Sequence, residues 1–237
     1  IDGLTKAGMH RISWDLRYPP VDAIGLEPSP WAGEPKGPLA PPGRYTATLY
    51  LTGEEGAEPV GEPVGFDVKR MREGALPGAA PEVTASFWRR VAEMSRAMTA
   101  TKVALEHAEK TLESMATALA RSEAEPGALD RELKALRLGV DDVERRLFGL
   151  PTKEEVGESG ADTVQRRLNV AAMGTQMSTY GPTPMHRESL ELAETWFREA
   201  RGRLNTLLET ELPALQKKLR EAGAPWTRGQ AIPGPEE

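Results

Sequence analysis

From Val83 to Leu119 apolar residues recur in steps of three and four with neither glycine nor proline among them. No other feature constrains the fold as strongly. The stripe runs through Val83, Phe87, Val91, Met94, Met98, Thr101, Leu105, Ala108, Leu112, Met115 and Leu119. At about 1.5 Å per residue it describes one helix about 60 Å long with a single apolar face. Pro81 before it and Pro126-Gly127 after it bracket the helix. Left in water, such a face forfeits roughly 25 cal/mol per Å² of apolar surface, so it needs partners.

The following sequence supplies them. Leu129, Leu133, Leu136, Val140, Val143 and Leu147 predict a second helix, closed by Gly149 and Pro151. Val164, Leu168 and Ala171 predict a shorter third over 162–175. A fourth begins near Pro184 and carries Leu190, Ala193, Phe197, Ala200, Leu204, Leu207, Leu215 and Leu219, with Gly223 and Pro225 ending it. Pro213 cannot donate to the helix ladder and is expected to kink this helix around Glu209. One long helix with shorter ones suits an up-down bundle of three to four helices. An intermolecular coiled coil would need unbroken heptads over more of the chain.

The first third is built differently. Residues 1–82 hold 12 Gly and 12 Pro, whereas the longer span 83–222 holds 8 and 5, so long helices are confined to the second part. Three stretches alternate with period two, the mark of a half-buried strand. They are His10, Ile12, Trp14 and Leu16; then Tyr45, Ala47, Leu49 and Leu51; then Val64, Phe66 and Val68. Gly53 to Gly61, rich in glutamate, is predicted as a polar hairpin loop, and 19–42 as a long ordered excursion. The expected fold class is therefore multi-domain α+β: a partial Ig-like antiparallel β-sandwich over 1–70, a linker at 71–82, a helical bundle over 83–222 and an irregular tail at 223–237. Three strands fall short of the about seven of a sandwich. Because the chain opens Ile1-Asp2-Gly3 without an initiator Met, the expectation is a fragment or processed product whose missing strands lie upstream.

Composition removes several function classes. The net charge of −6 over 237 residues gives no bulk electrostatic case for nucleic acid. No run of about 18 apolar residues spans a bilayer. With no cysteine there is no disulfide, thiol nucleophile or thiolate metal site.

Two phrases in the first part carry a resemblance. Gly8 to Pro19, with Trp14-Asp15 and Arg17, pairs with Gly37 to Leu49, in which Pro42-Gly43 precedes Tyr45. Pro42-Gly43 suits a tight turn, Tyr45 would enter the core beside Trp14, and Asp15 would cap backbone donors in the following turn. In shorter form the pair resembles the Ig-like domain of flagellar hook-cap proteins and many secreted bacterial enzymes. Together with the helical part ending at Leu215 to Gly229, it resembles the C-terminal region of bacterial sortilin-type or BNR-repeat propeller proteins, often labelled glycosyl-hydrolase-like. That resemblance implies an upstream propeller domain carrying any catalytic site, further strands before Gly8, and an exported or periplasmic setting.

Within the chain itself no catalytic constellation stands out. His10, His107 and His186 are far apart and lack metal-ligand spacing. His10 is expected on the apolar sheet face, His107 on a solvated helix face, and His186 as a cap after Pro184. Asp15 with Glu27, or Glu54 with Glu55, are the carboxylate pairs a glycosidase would need, without a readable aromatic platform. Glu154-Glu155 are simpler as loop charges. Ser159-Gly160 lacks a nucleophile elbow, and Gly157 to Gly160 lacks the Lys-Ser/Thr end of a phosphate loop. The pairs Arg89-Arg90, Arg145-Arg146, Arg166-Arg167 and Lys217-Lys218 suit surface ion pairs. Met94, Met98 and Met115 belong to the helical stripe, while Met173, Met177 and Met185 surround a loop expected to pack over the bundle end or to contact a partner.

The leading expectation is a non-catalytic accessory region without cofactor or metal, bracing the upstream propeller or mediating contacts, self-association included. A carbohydrate- or peptide-binding module using Trp14, Tyr18 and Trp31 is the second reading. An enzyme with its site at the sandwich–bundle seam is the third.

Overall fold

The computed structural model describes all residues except 2, 4–5, 21–36, 72–73, 75–76, 124, 126, 151–160, 177–179 and 235–237. The chain is mixed α+β. Strands β1 (Gly43–Gly53) and β2 (Gly56–Val68) form an antiparallel pair. They precede helices α1 (Pro81–Ala120), α2 (Ala128–Phe148), α3 (Val164–Gln176) and α4 (Pro184–Thr206). A π-helical turn, Leu207–Glu211, then leads into α5 (Leu212–Glu221).

The apolar stripe of α1 does what its spacing demands. Phe87, Val91, Met94, Met98, Leu105, Ala108, Leu112 and Met115 are buried in one cluster with residues of every other helix. Thr101 is the one polar member, and its hydroxyl donates to the Ala97 carbonyl at 2.8 Å, which removes the penalty of burying it. Leu136, Val140, Val143 and Leu147 come from α2, and Val164, Leu168 and Ala171 from α3. The α4–α5 rod adds Leu190, Ala193, Phe197, Ala200, Leu204, Leu207, Leu215 and Leu219. Only the ends of the long stripe escape: Val83 is exposed and Leu119 half-buried.

Helix starts follow local chemistry. Gly127 donates its N–H to the Asp130 carboxylate at 2.8 Å. Thr183 and His186 cap α4 reciprocally, with the Thr183 N–H on His186 Nδ1 and the His186 N–H on Thr183 Oγ1. Two ion pairs tie helices together: a bidentate Arg90–Glu194 link between α1 and α4, and Lys218–Glu132 between α5 and α2.

Pro213 does not break the last helix. Thr206, Leu207, Glu211 and Leu212 all keep right-handed helical dihedrals. The Leu212 N–H reaches back to the Leu207 carbonyl, so the expected kink near Glu209 takes the form of one widened turn. A pair between Arg203 and Glu211 spans it.

The first part departs further from expectation. Among the described residues the sheet has two strands, and the sandwich expected over 1–70 goes no further than that pair. The stretch from His10 to Leu16 is not a strand. The Arg17 N–H turns onto the Asp15 carboxylate at 3.0 Å, and Leu16 takes φ 59. A local side-chain bond thus replaces the ladder, leaving a single bridge between Arg17 and Leu39. The hairpin loop is also shorter than its composition suggested. Glu54 and Glu55 alone make the turn, Gly56 absorbs the twist at φ 127, and residues 56–60 join β2.

Candidate functional site

Sequence reading singles out Trp14, Tyr18 and Trp31 as a stacking platform; Trp31 lies outside the described residues. Trp14 meets Tyr45 edge-on at 5.3 Å and Phe66 edge-on at 6.2 Å, while Tyr45 and Phe66 stack at 6.0 Å. The Trp14 indole N–H donates to the Arg17 carbonyl at 2.8 Å, and the Tyr45 hydroxyl to the Pro41 carbonyl at 2.6 Å. Partial burial, then the neighbouring Tyr18 hydroxyl, pushes the Tyr45 phenol above its ordinary range. Trp14 therefore lies half-buried over one end of the hairpin, its ring engaged by two others. Edge-to-face pairs of this kind contribute about 0.5–1.5 kcal/mol beyond area, which suits a local clasp.

Tyr18 is exposed, and its N–H bonds the Pro38 carbonyl at 2.9 Å. With Pro38, Leu39 and Pro41 it faces Glu82, Ala85 and Arg89 of α1 across a shallow cleft of about 200 Å³. A second cleft of about 360 Å³ lies at the ends of α1 and α4, beside Glu82, Ser86, Phe87, Arg90 and Arg187. Both are below or at the low end of the volumes typical of small-molecule sites, and neither gathers buried polar groups.

The joint between the two parts was not foreseen. The Ala79 N–H donates to the Tyr180 carbonyl at 2.8 Å, bolting the linker to the chain before α4. Gly181 makes this possible. It takes φ 83, and a Cβ there would meet Thr84 Oγ1 at 2.6 Å and the Ala79 Cβ at 2.8 Å. The Gly181-Pro182 dipeptide was the available signal, but its partner is about a hundred residues distant in sequence.

The remaining candidates disperse. His10 is exposed rather than on an apolar face, because the strand that would have placed it there does not form; its ring lies against the Lys6 carbonyl. His107 is exposed on α1, and His186 serves as a cap. Asp15 caps Arg17, and Glu54 and Glu55 form the hairpin turn. Glu27, Glu154, Glu155, Gly157, Ser159, Gly160 and Met177 lie outside the described residues. Met94, Met98 and Met115 are core, whereas Met173 and Met185 are exposed rather than packed over the helix ends. Arg167 pairs with Asp162 and lies over the Trp196 ring at 5.8 Å.

One carboxylate departs from ordinary behaviour. Burial, followed by the charges of Glu144, Asp141, Glu113 and Glu106, raises the Glu109 pKa where α1 faces α2. This acidic seam is remote from both clefts in sequence. Among the described residues no three His, Asp or Glu side chains converge as a metal site, and no helix is long and apolar enough to cross a membrane.

The least explained surface is on the hairpin. Pairing sets Tyr45 and Ala47 against Phe66 and Val64 and, past a register shift between Ala47 and Leu49, Leu49 against Val60 and Leu51 against Glu58. Trp14 clasps the Tyr45–Phe66 end. Beyond it, Leu49 (61%), Leu51 (68%), Val60 (48%) and Val64 (65%) stand in solvent, and neither strand packs substantially on a helix. Sequence reading missed Val60 by assigning it to the loop. The two glycines enclosing Glu54-Glu55 were the signal for a tighter turn.

No family model, curated protein or solved structure matches the chain.

Proposed function

We propose that residues 1–237 are a non-catalytic accessory region of a larger propeller-bearing protein, bracing the propeller or mediating protein contacts. In this reading the helices are an up-down bundle and the hairpin is one strand pair of an Ig-like sandwich completed by other polypeptide. The observation that carries it is the contrast between a closed helical core and a bare apolar hairpin face. An isolated two-stranded hairpin is marginal in water, and further strands or a packing partner are what stabilise one. The phrases around Trp14-Asp15 and Pro42-Gly43-Arg44-Tyr45 support the propeller assignment by resemblance.

Hydrogen exchange of residues 43–68, with and without the propeller portion of the parent protein, tests this reading. Slowed exchange there on mixing is expected. Unchanged exchange across the hairpin at saturating propeller overturns it.

A further inference from the structure

The two edges of the hairpin are not equivalent. β2 carries Pro59 and Pro63, and prolines occupy sheets where the missing N–H faces away from the ladder, so the outer edge of β2 is interrupted. β1, from Gly43 to Gly53, has no proline and only Arg44 as a charge. Among the described residues nothing but β2 pairs with it. Natural edge strands are blunted by charge, proline, bulges or cover. The register shift between Ala47 and Leu49 breaks the edge there, but from Leu49 to Gly53 the pairing is regular and β1 has neither charge nor proline. Its amides on that side are an open template alongside the exposed Leu49 and Leu51.

Charge decides what can use the template. From Tyr50 to Phe66 there are four glutamates, Glu54, Glu55, Glu58 and Glu62, and no lysine or arginine. Glu54 and Glu55 sit at the turn that ends β1, and Glu58 pairs with Leu51 on the apolar face. A second copy docking through this region would set four carboxylates against four. The four bare side chains also fall short of the roughly 800 Å² per partner of a stable interface. A single extended strand needs less side-chain area, because main-chain hydrogen bonds supply much of its affinity.

We propose that the outer edge of β1 accepts an extended strand from a partner protein, with alternating apolar residues and a lysine or arginine where it passes Glu54 and Glu55. The apolar residues continue the face of Leu49, Leu51, Val60 and Val64, and the basic residue neutralises the hairpin tip. This rests on the reading of the chain as a contact region, and adds the edge used and the chemistry of the segment.

The test uses the whole chain and short synthetic peptides of alternating Val and Thr, ending in Lys or in Glu, followed by fluorescence anisotropy. Saturable binding of the Lys-ended peptide is expected, about five- to tenfold tighter than the Glu-ended one at low salt and converging at high salt. Tyr50→Pro should abolish binding, because Tyr50 pairs with Pro59 in the regular stretch and its own amide faces the outer edge. Should that variant lose its fold, Glu54→Lys with Glu55→Lys gives the independent reading, because both residues lie in an exposed turn. The double variant should reverse the preference between the peptides. Absence of binding, a preference unmoved by charge reversal, or self-association of the chain through residues 43–68 in sedimentation overturns the proposal. If the propeller still slows exchange in the hairpin while no peptide binds, strand addition fails and the accessory reading stands.

Discussion

The hairpin and the helices are both amphipathic in sequence, yet only the helices bury what they hide. Each helical stripe finds its cover in a helix of the same chain, and Leu112, Met115, Val140, Leu190 and Leu207 end essentially dry. The strand pair also has an apolar face, interrupted by a register shift at Ala47/Leu49 and by Glu58, covered at one end by Trp14 and open along the rest. The difference is geometric. Connected helices fold back on one another as layers, whereas a strand pair is itself one layer and needs a second from elsewhere. The accessory role proposed above reads the exposed face of the strand pair as a place for another polypeptide, whereas an exposed apolar residue on a helix end, such as Val83, is ordinary.

The sharpest way to break this contrast is to delete side chains from each part. Leu190→Ala should destabilise the helices by about 2–5 kcal/mol, because it opens a cavity in a packed core. The melting temperature should fall by roughly 5–15 °C. Leu49→Thr with Val64→Thr should leave the melting temperature within about 2 °C, since both side chains already face water. A large fall in the second variant would mean that the hairpin face is covered in solution.

Gly181→Ala probes the joint. The added Cβ collides with Thr84 and Ala79 in a backbone region that L side chains disfavour, for about 1–3 kcal/mol. Limited proteolysis should then cut faster between residues 70 and 80 while the helical core keeps its resistance. Equal protection in both proteins would show that the linker is held by something other than the Ala79–Tyr180 bond.

The smallest expected effect is electrostatic. The Glu109 pKa is raised in the folded chain, so its contribution to stability is present when protonated and is lost as pH rises through the folded value. Glu109→Gln should therefore raise the melting temperature by about 1–2 °C near neutrality. The gain should fade as pH falls through the raised value of Glu109 and be gone by the ordinary carboxylate range. A gain independent of pH would locate the effect in packing instead of charge.

The helical half was legible because its information is local. Val91, Met94 and Met98 declare their shared face by spacing alone, and Gly223 and Pro225 declare where the last helix stops. Even Pro213 was legible as a disturbance, though whether the helix kinks or widens depends on how neighbouring carbonyls are re-satisfied. The strands were legible in type but not in number. His10 to Leu16 has the same alternation as Tyr45 to Leu51, and only the Asp15–Arg17 bond and the clasp of Trp14 turn it away from the ladder.

By itself, then, the sequence determined which residues become helix, which of their faces are apolar, and that glycine and proline keep long helices out of the first third. These follow from periodicity and backbone sterics acting within a few residues. The pairing of Trp14 with Tyr45 was also legible, from the phrases around Trp14-Asp15 and Pro42-Gly43. Tertiary structure alone decided that Ala79 is bolted beside Gly181 and that Leu49, Leu51, Val60 and Val64 stay uncovered. Those outcomes depend on contacts between segments distant in the chain, and burial at one site is settled only when the neighbour that could cover it is in place.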